Sequence, residues 1–201
     1  IGCNDGTFLE ILAGGGRRFS GLAGFDPALN LAEERRRTCP QATFVDDYFS
    51  LAGWESCHAT DGKQAALVTA LAMFYDLDDP GRFLRDAASV LADDGLLVLQ
   101  VAWLRDTLKQ ADLGNVCHEH LTYWHLGALL PVVHRAGLFV RKLAWSDVNG
   151  GWLVLALGLH RSEEGEGEVR AALAHEEDAG LGQGWALERF KKRCEALKDA
   201  V

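Results

Sequence analysis

The chain has 201 residues, 48% hydrophobic and 24% charged, with a formal net charge of −9 at pH 7. That length suits one sizeable α/β domain with a small appendage, and the acidic balance opposes a nucleic acid partner, which needs a basic face. No apolar run reaches the roughly 18 to 20 residues that span a bilayer, so no membrane partner is expected. The five cysteines, at 3, 39, 57, 117 and 194, form no CxxC pair, which fits a reduced, cytoplasmic setting.

The opening "IGCNDGTFLEILAGGG" reads as the end of a strand, a glycine turn and a helix of about eight residues stopped by Gly14-Gly15-Gly16. The chain starts inside this motif, on isoleucine, and is expected to be a fragment whose first strand begins upstream. "FSGLAGFDP" is a second short strand broken by Pro27, "ALNLAEERRRTC" a helix closed by Pro40, and "ATFVDDYFS" a third strand with an acidic exit. A buried strand, Ala66 to Leu71, follows. Pro80 then starts the helix "GRFLRDAASVLA", whose apolar Phe83, Leu84, Ala87, Ala88 and Leu91 recur at helical spacing. Asp93-Asp94-Gly95 reads as a turn, and "LLVLQVAW" as an apolar strand covered on both faces.

A short polar link leads to "GNVCHEHLTYW", residues 114 to 124. The stretch "LGALLPVVHRAGLFVRKLAWSDVNGGWLVLALGLH" then gives a helix, a strand, an Asn149-Gly150-Gly151 turn and a last strand, a hairpin-like close. From Arg161 the chain reads as a charged, Gly-rich linker and an amphipathic helix. The division is therefore a domain over 1–160 and a linker with an amphipathic helix over 161–201. The β-α-β-α-β opening predicts an α/β, Rossmann-like fold, a mostly parallel sheet with a late antiparallel hairpin.

The turn Gly2-Cys3-Asn4-Asp5-Gly6 lets backbone N–H groups approach a ligand, but it lacks the GxGxxG dinucleotide spacing and the Lys-Ser/Thr of a phosphate-cradling loop. Asp26, ending the second strand before Pro27, is placed to accept hydrogen bonds from both hydroxyls of a ribose. Asp46 or Asp47, ending the third strand, could meet the exocyclic amine of an adenine. None of these carboxylates tolerates a neighbouring phosphate. Adenosine without phosphates points to S-adenosylmethionine, with Gly2, Asn4, Asp5, Gly6, Asp26, Pro27, Asp46, Asp47, Leu71 and Ala72 as the expected cofactor-binding set. The bland reading of Asp26-Pro27 is a helix cap or turn.

His118-Glu119-His120, followed by Tyr123, Trp124 and His125, could be an acid/base group, a metal set or a polar turn. In a strand-like stretch His118 and His120 share one side while Glu119 points away, which argues against a metal. Arg105 and Lys109 suit either a diphosphate or a solvated helix face.

In order, "IGCNDGTFL", "GFDPA", "FVDDYFS", "AMFYDLDDPGRFLRDAASVLADDGLLVLQV", "CHEHLTYWHL" and "DVNGGWLVLAL" resemble the S-adenosylmethionine-dependent sugar C-methyltransferases, class I methyltransferases that act on nucleotide-linked 4-keto-deoxysugars. The similarity covers residues 1 to about 160, and its most specific part is the Cys-His-Glu-His-Leu-x-Tyr stretch with the later Asn-Gly-Gly. The resemblance implies C-methylation of a small-molecule substrate through a base-generated enolate. His120 would be the base, Glu119 its neighbour in the proton chemistry or a sugar contact, and His118 a supporting residue. Many members have tyrosine where Cys117 stands here; Tyr123 or Tyr75 could replace that phenol. Members also carry a zinc-binding N-terminal domain and a C-terminal α/β domain, so the chain resembles their middle domain. The rival readings are an O- or N-methyltransferase of another metabolite and a cofactor-binding fragment without catalysis.

Overall fold

The computed structural model describes residues 1–16, 19–60, 62–146 and 150–199. Its helices are α1 (Thr7–Gly14), α2 (Ala32–Thr38), α3 (Leu51–Ser56), α4 (Pro80–Val90), α5 (Leu104–Gln110), α6 (Leu126–Arg135), α7 (Glu163–Asp178) and α8 (Trp185–Asp199). Its strands are β1 (Ala23–Phe25), β2 (Thr43–Val45), β3 (Ala65–Leu71), β4 (Leu91–Ala102), β5 (Phe139–Ser146) and β6 (Trp152–Gly158). None of the helices described is long and apolar enough to cross a membrane.

The strands form two groups, β1-β2 and β3-β4-β6-β5. β1 and β2 pair in parallel, as do β3 and β4, while β6 runs against both β4 and β5. β3, β4 and β5 therefore point the same way, and β6 is the reversed strand that the hairpin-like close implied. Residues 1–3 bridge the two groups: Ile1 N donates to Thr69 O at 2.7 Å and Gly2 N to Phe25 O at 2.8 Å. The glycine turn is thereby suspended over the ends of β1 and β3.

Local chemistry accounts for the elements around the core. α4 starts where the Asp79 carboxylate accepts from Arg82 N at 2.8 Å, with Pro80 in the first turn, a position where its missing N–H is no loss. Its Phe83, Leu84, Ala87 and Val90 are buried, one face at 3.6-residue spacing. α6 buries Leu126, Leu129, Leu130 and Val133 in the same way. Leu97, Leu99 and Val101 of β4 and Leu153, Leu155 and Leu157 of β6 have no exposed surface, and they join Leu84, Leu129 and Ala172 in one core. The alternate residues Val98, Gln100 and Ala102 are only half-buried, so β4 is fully covered on one face only, where its apolar run had predicted cover on both.

Several elements differ from the sequence reading. The second and third strands shrink to three residues each, because Pro27 and the acidic exit of β2 end the pairing early. Asp93-Asp94-Gly95 lies inside β4 as a bulge: Leu91 pairs with Ala65 and Leu96 with Leu67, so the extra residues loop out of the ladder. The polar link after β4 is the helix α5. The supposed linker after Arg161 is helical from Glu163, capped by Ser162 Oγ accepting from Gly165 N at 3.3 Å, with Glu163, Glu164 and Glu166 complementing the helix dipole. Gly165 is required there, since a Cβ would lie 2.0 Å from Val140 O; the glycine that looked like a linker signal is a packing contact between α7 and β5. Asn149 of the late turn lies outside the described residues.

Candidate active site

The turn over 2–6 is built from left-handed backbone at Gly2, Asn4 and Gly6, with φ of 64°, 51° and 84°. Asparagine and glycine are the residues that adopt this conformation most readily. Gly6 also has no room for a side chain, because a Cβ would sit 3.0 Å from Arg35 O on α2. Four of the turn's five backbone donors, all but Asp5 N, are engaged within the protein. Gly2 N and Cys3 N bond Phe25 O, Asn4 N bonds Asp26 Oδ2, Gly6 N bonds Cys3 O, and Thr7 N bonds Asp5 Oδ1. A phosphate-binding loop presents such N–H groups to its ligand; this one does not. The donor set fits an adenosine without phosphates.

Asp26 is buried at the end of β1, and its carboxylate accepts from Asn4 N (2.8 Å), Ala28 N (2.9 Å) and Arg35 Nη2 (3.2 Å). A carboxylate has about four acceptor sites, so one acceptor direction, on Oδ2, is left open. A cavity of about 510 Å³ opens beside it, lined among others by Gly2, Asp26, Pro27, Tyr48, Phe49 and Asp76.

The residue that organises this corner is Arg35, which sequence reasoning missed. Its guanidinium is fully buried, donates to Asp26 O, Asp26 Oδ1 and Ala28 O, and reaches Asp46 Oδ1 at 3.3 Å. Its Nε is left without a partner. The available signal was two strands ending in acidic residues on either side of a helix that carries Arg35-Arg36-Arg37. Asp46 is drawn into the same network. Its Oδ1 is engaged by Arg35 and its Oδ2 by Arg36 at 2.5 Å, so it does not line the cavity. Asp47 is exposed, accepts from Tyr48 N at 2.7 Å and is likewise absent from the lining. The short β2 turns both carboxylates away, and Tyr48 and Phe49 take their place.

Asn4, Asp5 and Gly6 shape the turn without lining the cavity, and Leu71 and Ala72 lie at the exit of β3 outside the lining, where Ala72 N donates to Gln100 O. Ala72 has φ of 55°, a left-handed conformation that turns the chain toward Met73, whose side chain packs against Gly2.

A string of aromatic rings joins this corner to the histidine stretch. Phe25, Phe49, Phe83, Phe74 and Trp124 follow one another with centroids 5.3, 5.8, 5.8 and 5.4 Å apart. Thr122 N donates to Tyr75 O, pinning the stretch to the turn after β3. The His120 ring lies 4.4 Å from that of Tyr75 and 6.4 Å from that of Tyr123. Its Nδ1 is 2.9 Å from Asn115 O. A carbonyl oxygen can only accept, so Nδ1 carries the proton and the neutral ring keeps its lone pair on Nε2.

Asp76, a lining residue of the cavity, feels His120 and Glu119. Burial pushes its carboxyl above the ordinary range, Glu119 adds to the rise, and His120 opposes it. Burial, with Asp76 and Cys117 nearby, pushes the Tyr75 phenol up to about 12. His118 and Glu119 are exposed, and Tyr123 is 37% exposed. Among the described residues no group of His, Cys, Asp and Glu has the geometry to hold a metal ion.

The stretch ends on a second buried acid that the sequence did not reveal. Glu176 of α7, 4% exposed, accepts from Trp103 Nε1 (2.6 Å), Leu126 N (2.5 Å) and Gly127 N (3.0 Å), and lies 3.2 Å from His125 Nδ1. It caps α6 from another helix and ties the exit of β4 to the end of the histidine stretch.

Residues 1–143 match the family model described as a methyltransferase domain. The chain is 30% identical over 202 residues to C-methyltransferase NovU of Streptomyces niveus, an alignment that takes in 100% of this chain and 47% of that protein. It thus spans about half the length of that relative. Among solved structures it resembles the plantazolicin methyltransferase BpumL, solved with a desmethylPZN analog and SAH, at a TM-score of 0.58 and 13% identity over 79% of this chain and 75% of the other. It also resembles a possible histamine N-methyltransferase from Thermotoga maritima, at a TM-score of 0.56 and 15% identity over 80% of each chain. At these identities the likeness establishes the fold.

Proposed function

We propose that this chain, a member of the methyltransferase-domain family, transfers a methyl group to a carbon beside the ketone of a nucleotide-linked 4-keto-deoxysugar. The cofactor is S-adenosylmethionine, which when bound supplies an electrophilic methyl group. Gly2 and Asp26 would hold it, with the remaining acceptor direction of Asp26 Oδ2 meeting a ribose hydroxyl. Similarity to a C-methyltransferase favours carbon as the acceptor, and five cysteines without a disulfide suit a reducing cytoplasm.

A neutral C–H is not a nucleophile, so a base must take the α-proton and leave the electron pair on an enolate. The observation that carries the proposal is the Nδ1 contact of His120 with Asn115 O, which leaves Nε2 as the basic atom on a ring packed against Tyr75 and beside Asp76 of the cofactor cavity. The proton passes from the sugar carbon to Nε2, and the C–H electron pair stays on the enolate. The Tyr75 phenol, protonated up to about 12, donates to the enolate oxygen. His118 and Tyr123, both exposed, would contact the sugar.

The test is deuterium exchange at the α-carbon of a nucleotide-linked 4-keto-deoxysugar in heavy water, with cofactor affinity measured in parallel by calorimetry. His120→Ala abolishes exchange and leaves S-adenosylmethionine affinity within about twofold, a difference of under half a kcal/mol. Unchanged exchange in that variant removes His120 from the base role. Transfer to oxygen or nitrogen of another metabolite, with no exchange by the unsubstituted protein, replaces the sugar reading.

A further inference from the structure

Away from the cofactor cavity, α5, α7, α8 and the end of β5 enclose an open cleft of about 430 Å³, lined by Arg105, Lys109, Trp145, His175, Arg189 and Arg193 among others. An adjoining depression shares Arg105, Lys109 and Trp145 with it. Four cationic side chains thus line one cleft of a chain whose net charge is −9.

Arg105 is already neutralised: its Nη2 lies 2.6 Å from Asp106 Oδ1, and its guanidinium stacks on Trp103. Lys109, Arg189 and Arg193 form no ion pair with a carboxylate among the described residues, although Asp178 also lines the cleft. Arg193 donates to Lys109 O, and Arg189 lies over the Trp185 ring, so both guanidinium groups are held by contacts that leave their charge uncompensated. Like charges gathered at a concave surface repel, and an anion between them relieves the repulsion. The acidic residues elsewhere do not cancel this field, because exposed charges are screened beyond about 8 Å at physiological ionic strength. The wall beside the cations is aromatic. Trp145 is 42% exposed, with the His175 ring 5.5 Å away.

We propose that this cleft binds a diphosphate, held by Lys109, Arg189 and Arg193, with Trp145 offering a flat surface to the group the diphosphate carries. The proposal rests on the nucleotide-linked substrate of the preceding subsection. Two of the elements that line the cleft, α5 and α7, also adjoin the histidine stretch. α5 leads directly into the turn Leu113–Asn115, whose Asn115 O holds His120. On α7, His175 faces the cleft while its neighbour Glu176 holds His125. A free nucleoside diphosphate presents the same chemistry as the substrate's own linkage, and the experiment separates the two.

The full chain is titrated calorimetrically with inorganic pyrophosphate and with UDP, and so are Lys109→Gln and Arg189→Gln, whose folding is checked by circular dichroism. Saturable binding is expected, weakened roughly fivefold by each substitution, the equivalent of about 1 kcal/mol per exposed ion pair. Affinity for S-adenosylhomocysteine stays unchanged. If the substrate supplies the diphosphate, Lys109→Gln raises KM for the keto-sugar nucleotide and spares kcat. Weakened pyrophosphate binding with unaltered KM keeps the anion site and assigns it to a free diphosphate. Absence of saturable binding, or equal binding by the variants, overturns the proposal. Failure of α-proton exchange in the unsubstituted protein bears on the sugar reading alone, since the pyrophosphate titration requires no sugar.

Discussion

Replacement of Glu176 tests how the histidine stretch is held. Its carboxylate receives two backbone N–H groups at the start of α6 and the Trp103 indole N–H, at 2.5, 3.0 and 2.6 Å, in a site 4% exposed. Glu176→Ala leaves these three donors unpaired, and each buried unpaired donor costs about 1 to 3 kcal/mol. Water entering the vacated space recovers part of this, so a net loss of roughly 3 to 5 kcal/mol is expected. With a urea m-value of about 2 kcal/mol/M, the unfolding midpoint falls by roughly 2 M. Glu176→Gln keeps one acceptor oxygen but loses the charge and turns an amide group toward a donor, and about half the loss is expected. Urea unfolding followed by tryptophan fluorescence, with m compared between variants, measures both. An alanine variant within about 1 kcal/mol of the parent, or a glutamine variant as unstable as the alanine one, would refute the argument that a charged cap from α7 secures the stretch.

Two further outcomes follow from the cofactor corner and the aromatic turn. Arg35→Met strips the buried carboxylate of Asp26 of its cation, so stability falls by roughly 3 to 5 kcal/mol and affinity for S-adenosylhomocysteine by about tenfold or more; calorimetry and thermal unfolding read both, and full affinity would show that Asp26 needs no such support. The Tyr75 phenol is raised to about 12, so its contribution to stability is complete below the ordinary phenol value near 10 and lost as pH rises through about 12. Phenolate absorbance should show one tyrosine titrating last, a transition absent in Tyr75→Phe.

What could be read along the chain was whatever short-range chemistry controls. The Gly2–Gly6 turn, the Pro80 start and buried face of α4, and the β5-β6 pairing were legible because each depends on spacing and turn residues within a few positions. The acid at the exit of β1 was legible for the same reason. Partnership between distant segments was not legible. Nothing near Asp46 in sequence says that Arg35 and Arg36 occupy its oxygens, since that depends on how α2 packs across β1 and β2. Helical residues 163–178 looked like a linker because Gly165 and Gly167 carry poor helix propensity, and only the close approach to Val140 O gives Gly165 a reason. His120 was chosen as base from resemblance; which of its nitrogens is free depends on Asn115 O, a contact that exists only once the stretch has folded against Tyr75. Composition and periodicity therefore determined the α/β class. Packing between segments far apart in sequence decided the charge partners, the free lone pair and the cleft beside α5, because a side chain's electrostatic surroundings depend on distance in space.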